Sequence, residues 1–513
     1  MRDKRRRRII WNNDGEDLSG PVFGRKGFPT PLESVDQYLG LRMEKLVGTQ
    51  VDSLFYCGYT RQPIWDYPTE NIRALGPDPF THVVDFAHRN GMEVVFSIRM
   101  NDIHSSFCPE WALGKGQWNI KLDHPEWMFA HLTREEFEEQ FAPWVFEGRN
   151  DNSEHPLADS RKRHGIASRE YFAWSALDYA QPGVRAHYLG IVEEACRRYD
   201  IDGIELDWGR APFCFPFGEE RKHIPVMTDF VRQVRQRLDE TARKRGRPIM
   251  LAMRLADSPE RSLSLGLDAE TWIGEGWVDL LTAGFGYMPF TISLKDWVRL
   301  GHEHGIPVYG CLSQSTRLFT KLEAIRAAAY RYWDEGVDGI YFFNYFFHQA
   351  AGIFATPKDY DSFLEVGDPS HIARKNKLYE IDKHWYAGYM NPDLSCWPGQ
   401  LPLAFTTQSG PGVAKLNLQI ADRPETASRV AVQVQWQEGT DPQRVSVRLN
   451  GQTLSDPHAL PPEMADQEGF IDYETGALQY GANTLEVTVQ PPQEGNPADP
   501  VVLEQVRVSI TYP

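Results

Sequence analysis

The stretch Ile201-Asp202-Gly203-Ile204-Glu205-Leu206-Asp207-Trp208 decides how this chain folds. An aliphatic-Asp pair opens it and runs straight into an alternating segment, with Ile204 and Leu206 on one face and Glu205 and Asp207 on the other. The apolar face needs cover and the acidic face needs an opening, so the segment reads as a strand with helices behind it. The same opening recurs in Val51-Asp52-Ser53-Leu54, Val278-Asp279-Leu280-Leu281 and Val337-Asp338-Gly339-Ile340. Between these stand three runs that follow a glycine: Met92-Glu93-Val94-Val95 after Gly91, Pro248-Ile249-Met250-Leu251 after Gly246, and Ile306-Pro307-Val308-Tyr309 after Gly305. A glycine just past a last helical turn caps it in the left-handed conformation, so each reads as helix, cap, strand. Arg8 to Asn12 completes a set of eight strands.

Helical periodicity fills the intervals, for example over Met227 to Arg245 and Leu322 to Glu335. Strands alternating with helices pair in parallel through right-handed crossovers, and eight such units in about 350 residues predict an α/β fold of the (β/α)8 TIM barrel type. An open doubly wound sheet would bring a Gly-rich phosphate loop after its first strand, and none follows Asn12. From about Pro398 the texture changes to short alternating runs, Val430 to Trp436, Arg444 to Leu449, Thr484 to Val489 and Val501 to Thr511, which predict a C-terminal antiparallel β-sandwich. The barrel domain is expected over 1–395, with a long loop at 101–182, and the sandwich over 396–513.

With 41% hydrophobic and 24% charged residues, the 513-residue chain has the balance of a soluble globular protein. Its net charge of −17 argues against nucleic acid or an acidic membrane surface as partner. No run approaches the roughly 20 apolar residues of a membrane helix. The basic run Arg2 to Arg8 leads into Ile9-Ile10-Trp11 and then acidic residues rather than an apolar signal segment, so a cytoplasmic location is expected, or a periplasmic or secreted one if a leader has been removed. Six cysteines (Cys57, Cys108, Cys196, Cys214, Cys311, Cys396) lack metal-ligand or disulfide-framework spacing. A homodimer is compatible with a barrel enzyme but no surface motif specifies one.

Catalytic groups of such barrels stand at the C-terminal ends of the strands. Strand four offers Glu205 and Asp207, a close pair whose pKa values neighbouring charge should push apart, so that an acid and a base coexist at neutral pH. Strand three ends in Arg99, Asn101, Asp102 and His104, a density of hydrogen-bonding groups unsuited to a core; strand one ends in Asn12 and Asp14. Arg254 and Asp257 follow strand five, Tyr287 and Ser313 follow strands six and seven, Asn344, Tyr345 and His348 follow strand eight, and Arg210 follows strand four. The excursion after strand three carries Trp111, Trp118, Trp127, Trp144 and Trp174; packing accounts for most such rings, and Trp174 is the one retained as a sugar platform. Arg99, Arg210 and Arg254 either bind an anionic sugar or hold the acidic pair in place.

The strand-four motif resembles the DGIDLDWE pattern of family 18 chitinases, with Gly209 where that family carries its proton-donating Glu, which argues against a chitinase mechanism. The segments Trp11-Asn12-Asn13-Asp14-Gly15, Arg99-Met100-Asn101-Asp102 and Glu205-Leu206-Asp207-Trp208-Gly209-Arg210 resemble bacterial glycosyl-hydrolase-like "family 10" barrel proteins with C-terminal sandwiches. That resemblance implies a carbohydrate-active class. The expected function is a glycoside hydrolase acting on a poly- or oligosaccharide, an anionic (uronic or sulfated) glycan among the candidates, with Asp207 as nucleophile or base and Glu205 or Asp102 as its partner, Asp257 remaining a candidate across the mouth. Neither a cofactor nor a metal is expected. Two rivals stand beside it: a chitinase-like sugar-binding protein without turnover, and a sugar-acid lyase or isomerase using His104 or His348 as base.

Overall fold

The computed structural model describes residues 5–13, 15, 34–57, 75–76, 78–103, 120–131, 133, 135–136, 173–209, 211–313, 321–345, 360–382, 399–407, 410–459, 470–492 and 501–513. Strands β1 (Ile9–Asn13), β2 (Val51–Cys57), β3 (Glu93–Arg99), β4 (Gly203–Asp207), β5 (Met250–Leu255), β6 (Leu280–Ala283), β7 (Val308–Ser313) and β8 (Gly339–Phe343) pair in sequence order, all parallel, and β8 closes on β1. This is the closed barrel that the recurring aliphatic-Asp pairs predict. Helix Ile224–Arg245 begins one turn earlier than its apolar periodicity, because a proline in the first turn extends it, and buries Met227, Phe230, Val231, Val234 and Leu238. Gly91, Gly246 and Gly305 hold φ of 73°, 74° and 66°, the left-handed conformation required of a helix cap.

The four aliphatic-Asp pairs share one job. Asp202 accepts the Val94 N–H at 2.9 Å and its own N–H donates to the Val94 carbonyl; Asp279 closes the same ring on Leu251, and Asp338 on Val308. Asp52 likewise accepts the Arg8 N–H at 2.7 Å. Each carboxylate also meets a cationic or imidazole side chain: Arg8, His88 with Arg247, Arg235, and His302. Every even strand thus ties the start of the strand before it at the N-terminal rim. Hydrogen bonds to a charged acceptor contribute about 1.5–3 kcal/mol each, so the repeat is a stability device.

Alternation sends Ile204 and Leu206 outward beneath the helices and Glu205 and Asp207 inward. An eight-stranded barrel closes with a stagger of one residue per strand, so inward side chains stack in levels of four drawn from alternate strands. The registers give Ile10, Val95, Ala252 and Tyr309 one level; Phe55, Glu205, Thr282 and Tyr341 the next; then Asn12, Ser97, Arg254 and Cys311; and above them Asp207 with Phe343. Contacts within levels agree: the Tyr341 hydroxyl donates to Glu205, Phe55 meets Tyr341 edge-on at 5.7 Å, and Arg254 approaches the Cys311 Sγ at 4.0 Å. The lower levels are apolar and the upper ones polar.

The C-terminal region forms two antiparallel sheets. One runs β10 (Leu403–Phe405), β18 (Val501–Thr511), β12 (Arg429–Trp436), β16 (Phe470–Glu474), β15 (His458–Ala459); the other runs β11 (Gly412–Ile420), β17 (Gly481–Val489), β13 (Val445–Leu449), β14 (Gln452–Thr453). β9 (Lys377–Glu380), which precedes residue 396, also pairs with β18. Lys377 and Asp422 form a fully buried ion pair at 2.8 Å, and the hydroxyls of Tyr379 and Tyr512 donate to the same carboxylate. Across the joint, the Tyr480 hydroxyl donates to Asp334 at the end of helix Leu322–Asp334. Among the described residues no helix is long and apolar enough to cross a membrane.

Candidate active site

Asp207 is the last residue of β4, and its cross-strand neighbours are Arg99 on β3 and Arg254 on β5. Arg254 closes a two-pronged bridge onto it: Nε to Oδ1 at 2.8 Å and Nη2 to Oδ2 at 3.1 Å, both side chains buried. The Gly209 N–H adds a third bond to Oδ1 at 2.8 Å. The guanidinium lies 3.9 Å over the Phe343 ring, so its position is fixed on both sides. Gly209 is glycine for a reason visible here: a Cβ would stand 2.6 Å from the Arg254 Cζ and 2.9 Å from Phe285. The position where chitinases carry their acid is therefore filled by the arginine that binds Asp207.

Glu205 lies deeper. It is fully buried, and its Oε2 accepts from Ser97 Oγ at 2.5 Å and Tyr341 OH at 3.1 Å. Oε1 has no hydrogen-bond partner. Burial, with the Asp207 charge second, pushes its carboxyl up to about 8, against the pull of the Ser97 and Tyr341 hydrogen bonds and the Arg254 charge. Burial thus favours the neutral form of Glu205, while Asp207 sits in an ion pair.

The other expected site residues divide by location. Asp102 stands on the rim, its side chain 35% exposed and bonded to Arg99 Nη1 at 3.2 Å. Its carbonyl accepts from Lys121, whose burial pushes the ammonium down to about 8 against the attraction of Asp102. Asn101 is buried with its amide committed to backbone: Nδ2 donates to the Leu177 and Phe213 carbonyls, and Oδ1 accepts from the Leu177 and Asp102 N–H groups. It staples the returning end of the long excursion and the loop after β4 to the tip of β3. Asp257 is buried near the ends of β5 and β6, held by the Phe285 N–H, and burial lifts its carboxyl to about 6. Asn12 faces inward and donates to the Phe55 carbonyl. Asn344, at the tip of β8, adopts a left-handed φ of 49°, a conformation uncommon for a non-glycine residue and frequent at functional sites. Ser313 is buried, its N–H donating to the Gly286 carbonyl, and Tyr287 is half-buried.

Trp174 is 2% exposed and packs within the core. Trp127 is partly buried, lodged where a Cβ on Gly183 would touch its ring at 2.0 Å, and stacks on His124. Asp14, His104, Arg210 and His348, with Trp111, Trp118 and Trp144, lie outside the described residues. Cys57, Cys196, Cys214 and Cys311 are buried, the last three as free thiols, and no group of three or more His, Cys, Asp or Glu side chains among the described residues could hold a metal ion. Ser97, Thr282, Tyr341 and Lys121 belong to this constellation without having been singled out from the sequence. Counting alternation outward from Glu205 with a one-residue stagger per strand would have found the first three.

No protein-family model and no curated protein sequence matches the chain. Solved structures similar to it include an α-amylase from Geobacillus thermoleovorans in complex with acarbose, 12% identical over 94% of this chain and 99% of that one, with a TM-score of 0.40. An Anoxybacillus α-amylase is 13% identical over 95% and 98%, also at 0.40. The glycoside hydrolase domain of PgaB (BpsB) from Bordetella bronchiseptica is 11% identical over 66% and 94%, at 0.39. At such similarities none of their chemistry transfers, and the function has to be read from this chain's own residues.

Proposed function

We propose that this protein is a glycoside hydrolase that cleaves a neutral poly- or oligosaccharide at the C-terminal mouth of the barrel, with Asp207 and Glu205 as its paired carboxylates. The observation that carries this reading is the contrast within one strand: Asp207 lies in a two-pronged ion pair with Arg254, whereas Glu205, two residues earlier, keeps its proton to about pH 8. Two titratable groups whose environments separate them in this way are the usual mark of an acid and a charged partner. In hydrolysis the anion at the mouth stabilises positive charge developing at the anomeric carbon, the acid supplies the proton taken by the leaving oxygen, and water adds to the sugar and gives up a proton that replaces the one the acid supplied. Asp102, open to solvent at the rim, is the further carboxylate available to orient that water.

A neutral glycan is favoured because Arg254 spends its fork on Asp207 and Arg99 is bonded to Asp102. Two of the three arginines that would have recognised a uronate or sulfate are thereby engaged by acids; the third, Arg210, lies outside the described residues. One observation favours a second reading, a sugar-binding protein without turnover: the position of the chitinase acid, Gly209, has its side-chain space taken by Arg254. Reducing-end release from neutral, uronic and sulfated glycans separates the two. Hydrolysis of a neutral glycan by the wild type, abolished in Glu205→Gln and Asp207→Asn, supports the hydrolase; retained binding with no release in any of the three proteins supports the lectin.

A further inference from the structure

Three oxygens in the upper half of the barrel are buried and lack a hydrogen-bond partner: Glu205 Oε1, Thr282 Oγ1 and Asn12 Oδ1. They come from three separate strands, β4, β6 and β1, and are 0%, 0% and 1% exposed as residues. Register puts Glu205 and Thr282 on the same level and Asn12 on the level directly above. Alternation turns all three side chains into the barrel, because the flanking Trp11, Ile204, Leu206, Leu281 and Ala283 pack on its outside.

Barrel levels are normally filled with bulky branched side chains. Of the eight members of these two levels, Thr282, Asn12, Ser97 and Cys311 are smaller than the branched and aromatic side chains that usually fill them, and stand beside the larger Phe55, Glu205, Tyr341 and Arg254. Buried polar groups in proteins are almost always satisfied, and where protein does not do it, ordered water does. A water needs roughly two to four polar partners. The donors and acceptors match: the Thr282 hydroxyl can donate or accept, Asn12 Oδ1 accepts, and a protonated Glu205 can donate or accept through Oε1.

We propose that Glu205 Oε1, Thr282 Oγ1 and Asn12 Oδ1 enclose a binding site for water inside the barrel, and that this water is the path by which protons reach and leave Glu205. Glu205 has no exposed atom, and its other oxygen is occupied by Ser97 and Tyr341. A proton leaving Oε1 passes to the water, which releases one of its own to further water toward the mouth; Asn12 Oδ1, one level nearer the mouth, orients the water as an acceptor and carries no proton itself. No net reaction takes place: each proton accepted by the water is matched by one it gives up. The catalytic meaning of this path rests on the hydrolase reading above, but the site itself does not.

The test needs no substrate. Infrared difference spectra of the whole protein, recorded below the pKa of Glu205, identify its protonated carboxyl as the C=O band missing in Glu205→Gln. On transfer to D2O that band should shift without global unfolding, more slowly in Thr282→Val, and at the wild-type rate in Thr282→Ser, which restores the hydroxyl. A high-resolution crystal structure should show ordered density within hydrogen-bond distance of both Glu205 Oε1 and Thr282 Oγ1. A band that fails to shift in folded protein, an unchanged rate in Thr282→Val, or a crystal structure with those oxygens bonded to protein atoms would each overturn the proposal. An inactive protein whose band still exchanges would instead count against the hydrolase reading and leave the water site standing.

Discussion

At the N-terminal rim of the barrel, Glu93 accepts from Arg7 through both oxygens and from Ser53, and Asp52, Asp202, Asp279 and Asp338 each accept a strand N–H and meet a cationic or imidazole side chain. In the upper levels Asp207 is equally well held by Arg254, yet Glu205, Thr282 and Asn12 each keep one oxygen without a partner. The same residue types are used at both ends, so composition does not distinguish them. What differs is the partners the protein supplies: the rim carboxylates meet strand N–H groups and cationic or imidazole side chains, whereas Glu205 Oε1, Thr282 Oγ1 and Asn12 Oδ1 meet no protein donor or acceptor and, on the reading above, are met by water.

The largest effect that sharpens this contrast is on turnover. Glu205→Gln should lower the rate of glycan hydrolysis by about 100- to 10,000-fold, the range for loss of a general acid. Glu93→Gln, at the other end, should leave the rate of the folded protein unchanged. Next comes stability. Arg254→Met strands the buried Asp207 carboxylate and Glu93→Gln strands the buried Arg7, so chemical denaturation should register a loss of about 3–5 kcal/mol in each case, with only the first also losing activity. Gly209→Ala drives a methyl group into Arg254 and should cost about 1–3 kcal/mol by the same measurement. Smallest is Asp338→Asn, on a side chain 40% exposed, at about 1 kcal/mol or less and with no change in rate.

The pH dependence of stability draws the same line. Glu205 has its carboxyl raised from an ordinary 4.5 to about 8 in the folded protein, so its favourable contribution is complete below about pH 4.5 and is lost as pH rises through about 8. Comparing unfolding free energies across that window, the wild type should lose stability relative to Glu205→Gln as pH rises. A parallel pair of curves would mean that Glu205 titrates normally.

Much of the scaffold was legible because its signals are local. Each aliphatic-Asp pair marks a strand start and each of Gly91, Gly246 and Gly305 a helix cap, and period-two alternation was enough to turn Glu205 and Asp207 inward. The site was legible only as a set of candidates. Which partner Arg254 would choose depends on the chain from Asp207 to Arg254, 47 positions on, folding through a complete βα unit. The commitment of the Asn101 amide to Leu177 and Phe213, residues 76 and 112 positions away, has no local trace. Ser97 and Tyr341 read as ordinary strand residues until the stagger of the closed barrel brings them against Glu205. β9 escaped notice because four residues beyond the barrel carry too short a pattern to reveal that they pair with β18.

The measurement that bears most directly on the role of the upper levels is reducing-end release from a neutral glycan across a pH series, with wild type, Glu205→Gln and Glu93→Gln compared at equal amounts of folded protein. The account predicts that wild type and Glu93→Gln lose activity together as pH rises through about 8 and that Glu205→Gln is slower by about 100-fold or more wherever the wild type is active, without that alkaline limb. Full activity in Glu205→Gln, with the same alkaline limb, would contradict it.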